Sequence, residues 1–186
     1  MIVGSALITF NVRTTNQIID DFWFLSDEDR DRIIKKIWRL DSDNQFWPAF
    51  RAQDTSDSRE HCVEAYNDTS ILSLLEERGI KTGIVTSAPS HIIDLELSLL
   101  NHNFDAVVRA QDGVKQKPDP DGLMKCIGKL GVNSDKTFYV GNSIDDMKMA
   151  GNAKVRGIFL DRGEYNFRKV EAYLTIGSLE ALRVIV

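Results

Sequence analysis

Cysteine is nearly absent from this sequence, with Cys62 and Cys126 the two examples among 186 residues. Two thiols cannot build the framework of a disulfide-stapled secreted domain, and they fit a reducing compartment. Proline is scarce too, at four residues beside 12 glycines, which excludes collagen-like and low-complexity chains. A basic surplus is missing: 23 Lys and Arg stand against 28 Asp and Glu, a formal charge of -5. Proteins held to nucleic acid by phosphate contacts show the opposite balance or a basic stripe, so nucleic acid is not an expected partner. No run approaches the ~20 apolar residues that cross a bilayer, so no membrane is expected either. The apolar amino terminus lacks a basic start and a good small-residue cleavage site. It reads as a buried strand over Ala6–Phe10 rather than a signal peptide, and the cytoplasm is the expected location.

What is present, 42% hydrophobic and 27% charged residues, is the composition of a globular domain with room for an insertion. From Asn67 onward helix-like and strand-like segments alternate. Residues 68–79 carry a capping residue, an apolar face and a terminating glycine. Strands are expected over Ile80–Thr86, Ala106–Arg109, Thr137–Gly141, Arg156–Leu160 and Tyr173–Ile176, and helices over Ser90–Leu100, Asp119–Gly131, Asp145–Ala153 and from Leu179. With Ala6–Phe10 this makes six strands, the pattern of a three-layer α/β fold with a parallel, Rossmann-like sheet. Ligands of such sheets sit beyond the carboxyl ends of the strands, where Asn11, Thr86 and Gly141 fall.

Residues 16–68 break this rhythm. They hold all three tryptophans, four of nine phenylalanines, and 13 acidic against 7 basic residues, a charge of -6 beside +1 for the remainder. Ser26–Asp29 reads as an acidic helix start, and Ile33, Ile34, Ile37 and Trp38 form an amphipathic stripe. The segment reads as a helical insertion after the first strand, giving a core of 1–15 and 69–186 with a cap of 16–68. Its aromatic residues form either a small core or a patch for a protein partner. The acids at 27–31 read as a solvated helical turn rather than a calcium loop. His61, His91 and His102 lack metal-ligand spacing and read as surface residues, and Cys62 and Cys126 as small apolar packing.

Three strand-end segments carry a resemblance. Thr82–Pro89 contains a strand ending in Thr86 and Ser87. Lys117-Pro-Asp-Pro120 follows. Tyr139-Val-Gly-Asn142-Ser-Ile-Asp-Asp146 precedes Ala150-Gly-Asn-Ala153. In order and spacing they resemble motifs two to four of the haloacid dehalogenase-like phosphatases, in particular the phosphoglycolate-phosphatase-like branch. The resemblance implies a phosphate-binding Thr86 and Ser87, a charge-neutralising Lys117, and a magnesium turn at Asn142 and Asp146. It also implies an aspartate nucleophile, a second aspartate as general acid and base, and magnesium.

The first motif of that family, a hydrophobic strand followed by Asp-x-Asp-x-Thr, is matched by Leu7–Thr15 with substitutions. Asn11 stands at the nucleophile position and Arg13 at the acid/base position, while Asn142 replaces a metal-binding aspartate. Counted over the matched side chains, the charge passes from -3 in the family to +1 here, which disfavours magnesium. A nucleophile at Asp20–Asp21 is the alternative mapping, although no long apolar strand precedes that pair. The resemblance then implies a pseudoenzyme with no cofactor. Its site would take inorganic phosphate or a small phosphorylated ligand on Arg13, Lys117, Thr86, Ser87 and the amides around Val12. Alternatively, Arg13 pairs with Asp146 or Asp145 and fills a dead site. The other reading is a magnesium-dependent phosphomonoester hydrolase of the phosphoglycolate phosphatase type.

Overall fold

A computed structural model describes residues 2–24, 27–60, 63–164 and 170–186, with the backbone alone at residues 24 and 27–29. Ser26, His61 and Cys62 lie outside the described residues. The chain divides into two compact units, Met1–Val63 and Glu64–Val186.

The first unit is helical. It comprises α1 (Ile2–Ile8), α2 (Asn16–Phe24), α3 (Asp27–Arg32), wide turns at Ile33–Ile37 and Ser42–Phe46, α4 (Trp47–Gln53) and α5 (Ser56–Glu60). Here the expected strand over Ala6–Phe10 is corrected: its first half is the end of α1. Val3, Ala6 and Leu7 fall at positions i, i+3 and i+4, one face of a helix, and each is at most 1% exposed in the unit's core. The helix ends in a turn in which Asn11 N donates to Ile8 O at 2.9 Å. Asn11 has φ +55°, a left-handed conformation that asparagine tolerates better than most residues. Residues 1–15 therefore pack with the residues read as the cap, and the division falls at 63/64.

The core of this unit is aromatic. The buried Phe22 ring lies 5.1–5.9 Å, centroid to centroid, from those of Trp38, Phe46 and Trp47. Asp41 starts the turn over Ser42–Phe46, its carboxylate accepting from Asn44 N at 2.7 Å. The expectation that these rings form a small core holds, with Trp23 partly exposed. Asp31 pairs with Lys35 at 2.8 Å on an exposed face, in keeping with a solvated turn.

The second unit is α/β. Its elements are α6 (Ile71–Glu77), β1 (Gly83–Thr86), α7 (Ser90–Ser98), β2 (Ala106–Arg109), α8 (Asp121–Leu130), β3 (Phe138–Gly141), α9 (Ile144–Asn152), β4 (Arg156–Leu160) and β5 (Leu174–Ile176), then a 3₁₀ segment Leu179–Val184. Short β-branched runs bounded by turn residues make these strands. Every pairing is parallel, but the strands form two sheets among the described residues, β1-β2 and β3-β4-β5. Helix α8 buries Leu123, Cys126, Ile127 and Leu130 and stops at Gly131, whose φ of +64° ends the helix in the left-handed region. Cys126 is packed as an apolar residue, and burial pushes its thiol up.

One histidine differs from expectation. His102 has a side chain only 3% exposed, with Nε2 2.7 Å from Thr82 Oγ1 and the ring edge-on to Phe104. A strand-end hydroxyl and an aromatic neighbour bury it, whereas His91 is exposed. The ends of the unit meet at Asp68. Its carboxylate receives a two-pronged contact from Arg162 at 2.6 and 3.0 Å, the Ser178 hydroxyl at 2.8 Å and Leu179 N at 2.9 Å. Burial alone would raise the Asp68 carboxyl; Arg162, Leu179 and Ser178 outweigh it and hold it below the ordinary range.

Candidate active site at the strand ends

β1 delivers Thr86 to its carboxyl end, where the hydroxyl oxygen accepts from Ala88 N at 3.0 Å and its proton remains to be given. β3 ends at Gly141, and α9 begins at once behind the cap Ser143. The Ser143 hydroxyl accepts from Asp146 N at 3.1 Å and donates to Asp146 Oδ2 at 2.8 Å, while Ser143 N donates to Oδ2 at 3.1 Å. This is a reciprocal capping box, and the spacing Ser-x-x-Asp is its sequence signature.

Lys117 arrives from the loop ahead of α8. Its Nζ donates to Asp146 Oδ1 at 2.8 Å and to the Tyr139 hydroxyl at 2.9 Å, and Tyr139 in turn donates to Oδ1 at 2.9 Å. Asp146 is 5% exposed and accepts four hydrogen bonds, two on each oxygen. A carboxylate has about four lone-pair positions, so none is left over. Burial raises the Asp146 carboxyl, but Lys117, Ser143 and Tyr139 outweigh that and hold it below its ordinary value. Burial, then the charge of Asp146, pushes the Tyr139 phenol well up, so it stays a donor. Gly141 permits this close seat: a Cβ there would lie 2.5 Å from Asp146 Cγ.

The predicted residues thus separate. Lys117 and Asp146 meet; Thr86, Ser87 and the exposed Asn142 stand at strand ends of the same unit. Asn11 and Arg13 lie in the first unit, and no strand carries them. Asp146 is paired with Lys117. Sequence reading left out Tyr139 and Ser143 as site residues. The capping-box spacing could have found Ser143. Tyr139 gave no such sign, because its lysine is 22 residues away.

A profile of the haloacid dehalogenase-like hydrolases matches residues 8–160. The chain belongs to that family. This haloacid dehalogenase-like chain is similar to pyrophosphatase PpaX of Bacillus cereus, 32% identical over 104 residues that cover 54% of this chain and 48% of the relative. It is 29% identical to the phosphoglycolate phosphatase of Pectobacterium atrosepticum over 98 residues, 52% of this chain and 42% of that one. Both place it on the phosphoglycolate-phosphatase-like branch. The chain spans about half the length of the curated relatives it matches. A solved hydrolase from Pseudomonas syringae shares the fold, with a TM-score of 0.80 at 19% identity over 98% of this chain and 87% of that one.

The family resemblance implies magnesium, and the donor set does not fit it. Magnesium asks for carboxylate oxygens in an octahedron. Here Asp146 has spent its lone pairs, Asn142 offers a neutral amide, and the described residues hold no cluster of three His, Cys, Asp or Glu. The unspent groups are donors. An ammonium has three protons, and Lys117 uses two.

Proposed function

We propose that this haloacid dehalogenase-like chain is a catalytically impaired member of its family that binds inorganic phosphate or a small phosphorylated ligand without a metal. The observation that carries the reading is the exhaustion of Asp146 as an acceptor beside Lys117, which uses two of its three protons among the described residues, with Thr86 at a strand end of the same unit. A site with spare donors and no spare carboxylate selects an anion. Lys117 and Asp146 cancel in charge, so the affinity is modest, near millimolar, or about 4 kcal/mol. The Asn11, Arg13 and Asn142 substitutions support the impaired half of the reading.

Calorimetric titration of the chain with inorganic phosphate, with and without magnesium, tests it. Saturable millimolar binding is expected, unchanged by magnesium and weakened at least tenfold in Lys117→Met. No heat at ten millimolar phosphate would remove the binding reading. Magnesium-stimulated release of phosphate from p-nitrophenyl phosphate, abolished by Asp146→Asn, would establish the hydrolase reading instead.

A further inference from the structure

Lys117 is anchored at both ends. Its main chain lies in the loop ahead of α8, where Asn152 Nδ2 donates to Pro118 O at 2.9 Å and Asp119 N donates to Gln116 O at 3.0 Å. Between that loop and the ammonium runs a flexible four-carbon stem, and charge alone would leave Nζ free to swing about Asp146. A second partner fixes the far end. The Tyr139 ring packs against the core cluster of Leu123, Ile127 and Met149, and from there its hydroxyl reaches both Nζ and Asp146 Oδ1.

The three polar atoms form a triangle with sides of 2.8, 2.9 and 2.9 Å. Its corners are about 60°, whereas the N–H bonds of an ammonium diverge by about 109°. Two of those bonds therefore straddle the triangle, and the third is directed away from it. The Lys117 side chain is 21% exposed against 8% for Asp146, so the open side of the pair is the lysine's. Tyr139 has two tasks in the triangle. It takes one proton from Lys117, and it fills the last lone-pair position on the carboxylate. Burial, then the charge of Asp146, pushes the phenol well up, so this donation persists. Without the hydroxyl the ring opens: one N–H loses its acceptor, and one place on Oδ1 comes free. Lys117 then turns that proton onto the carboxylate or swings away, and its third N–H no longer keeps one direction.

We propose that Tyr139 is a positioning residue of the anion site: its hydroxyl holds Lys117 at a fixed angle to Asp146, so that the remaining ammonium proton is presented to a phosphate oxygen. A donor held in this way needs no ordering when the anion arrives. The role deepens the phosphate reading and rests on it for the anion, whereas the tether stands on the triangle alone.

The test is a double-variant cycle on the full chain: Tyr139→Phe, Lys117→Met and the two together, each titrated with inorganic phosphate by phosphorus NMR. Phenylalanine keeps the ring and its packing, and the thermal midpoint verifies the fold. Tyr139→Phe should weaken phosphate about fivefold when Lys117 is present and not at all when it is methionine, because the hydroxyl acts through the ammonium. A second readout needs no anion. Labelling of Lys117 by trinitrobenzenesulfonate, resolved by peptide mass, should be several-fold slower than that of the exposed Lys115 and should speed up several-fold in Tyr139→Phe. No binding by the unaltered chain would defeat the phosphate reading itself. In a chain that binds, unchanged affinity in Tyr139→Phe, or an equal loss with and without Lys117, would overturn the role of Tyr139 and leave that reading standing. Equal labelling of Lys117 with and without the hydroxyl would overturn the tether whether or not phosphate binds. If Tyr139→Phe does not fold, labelling of Lys117 as fast as that of Lys115 in the unaltered chain overturns the proposal.

Discussion

The first unit closes around aromatic rings in a single cluster, whereas the second closes around aliphatic side chains in three. Phe22 and Phe46 are fully enclosed, but Val85 in β1 and Phe138 and Val140 in β3 keep part of their surface open. Large rigid rings let a short helical unit bury itself without a sheet, because each covers much area for few rotatable bonds. The parallel strands of the second unit fall into two sheets among the described residues, and its core is divided with them. The two units therefore reach stability by different routes, and the second is left the more open.

That contrast can be broken experimentally at unequal cost. The largest effect is expected from Phe46→Ala, which deletes a ring in contact with Phe22, Trp38, Trp47 and Phe50. The loss is about 3–5 kcal/mol. All three tryptophans lie in the first unit, so urea unfolding followed by their emission reads it directly. A smaller effect comes from acid. Asp146 and Asp68 are both held below the ordinary aspartate value of 3.8. Their unfolded forms bind protons first, so the stabilisation is complete above that value and is lost as pH falls below it through the folded values. Tyrosine ellipticity, which reads the second unit through Tyr139, should collapse on acidification before tryptophan emission moves; the reverse order would refute the assignment. The smallest effect belongs to Val140→Ala. Its side chain borders open space, so about 1 kcal/mol or less is expected in the same urea experiment. A loss of about 3 kcal/mol would contradict the open surroundings of this side chain.

Much of the second unit was legible in the sequence. Its five strands fall within the runs read from the sequence, and α8 stops at Gly131, where the expected helix ends. Ala6–Phe10 misled because a short apolar run fits strand and buried helix alike. The spacing of Val3, Ala6 and Leu7 was the deciding sign, and it begins upstream of that run, at Val3. At the site, Thr86, Lys117 and Asp146 could be named because strand ends and local motifs carry them. What the lysine and carboxylate do to each other could not, since Tyr139 completes their contact only through tertiary packing. His102 escaped for the same reason, buried by Thr82, 20 residues distant in the chain.

The four contacts on Asp68 have a consequence for how this unit comes together. They tie the turn ahead of α6 to the turn that opens the Leu179–Val184 segment, whose bonding groups lie 110 and 111 residues further along the chain. Contacts of such long range form only after the strands between them have found their places. The Asp68 clasp is thus a mark of completed assembly of the α/β unit.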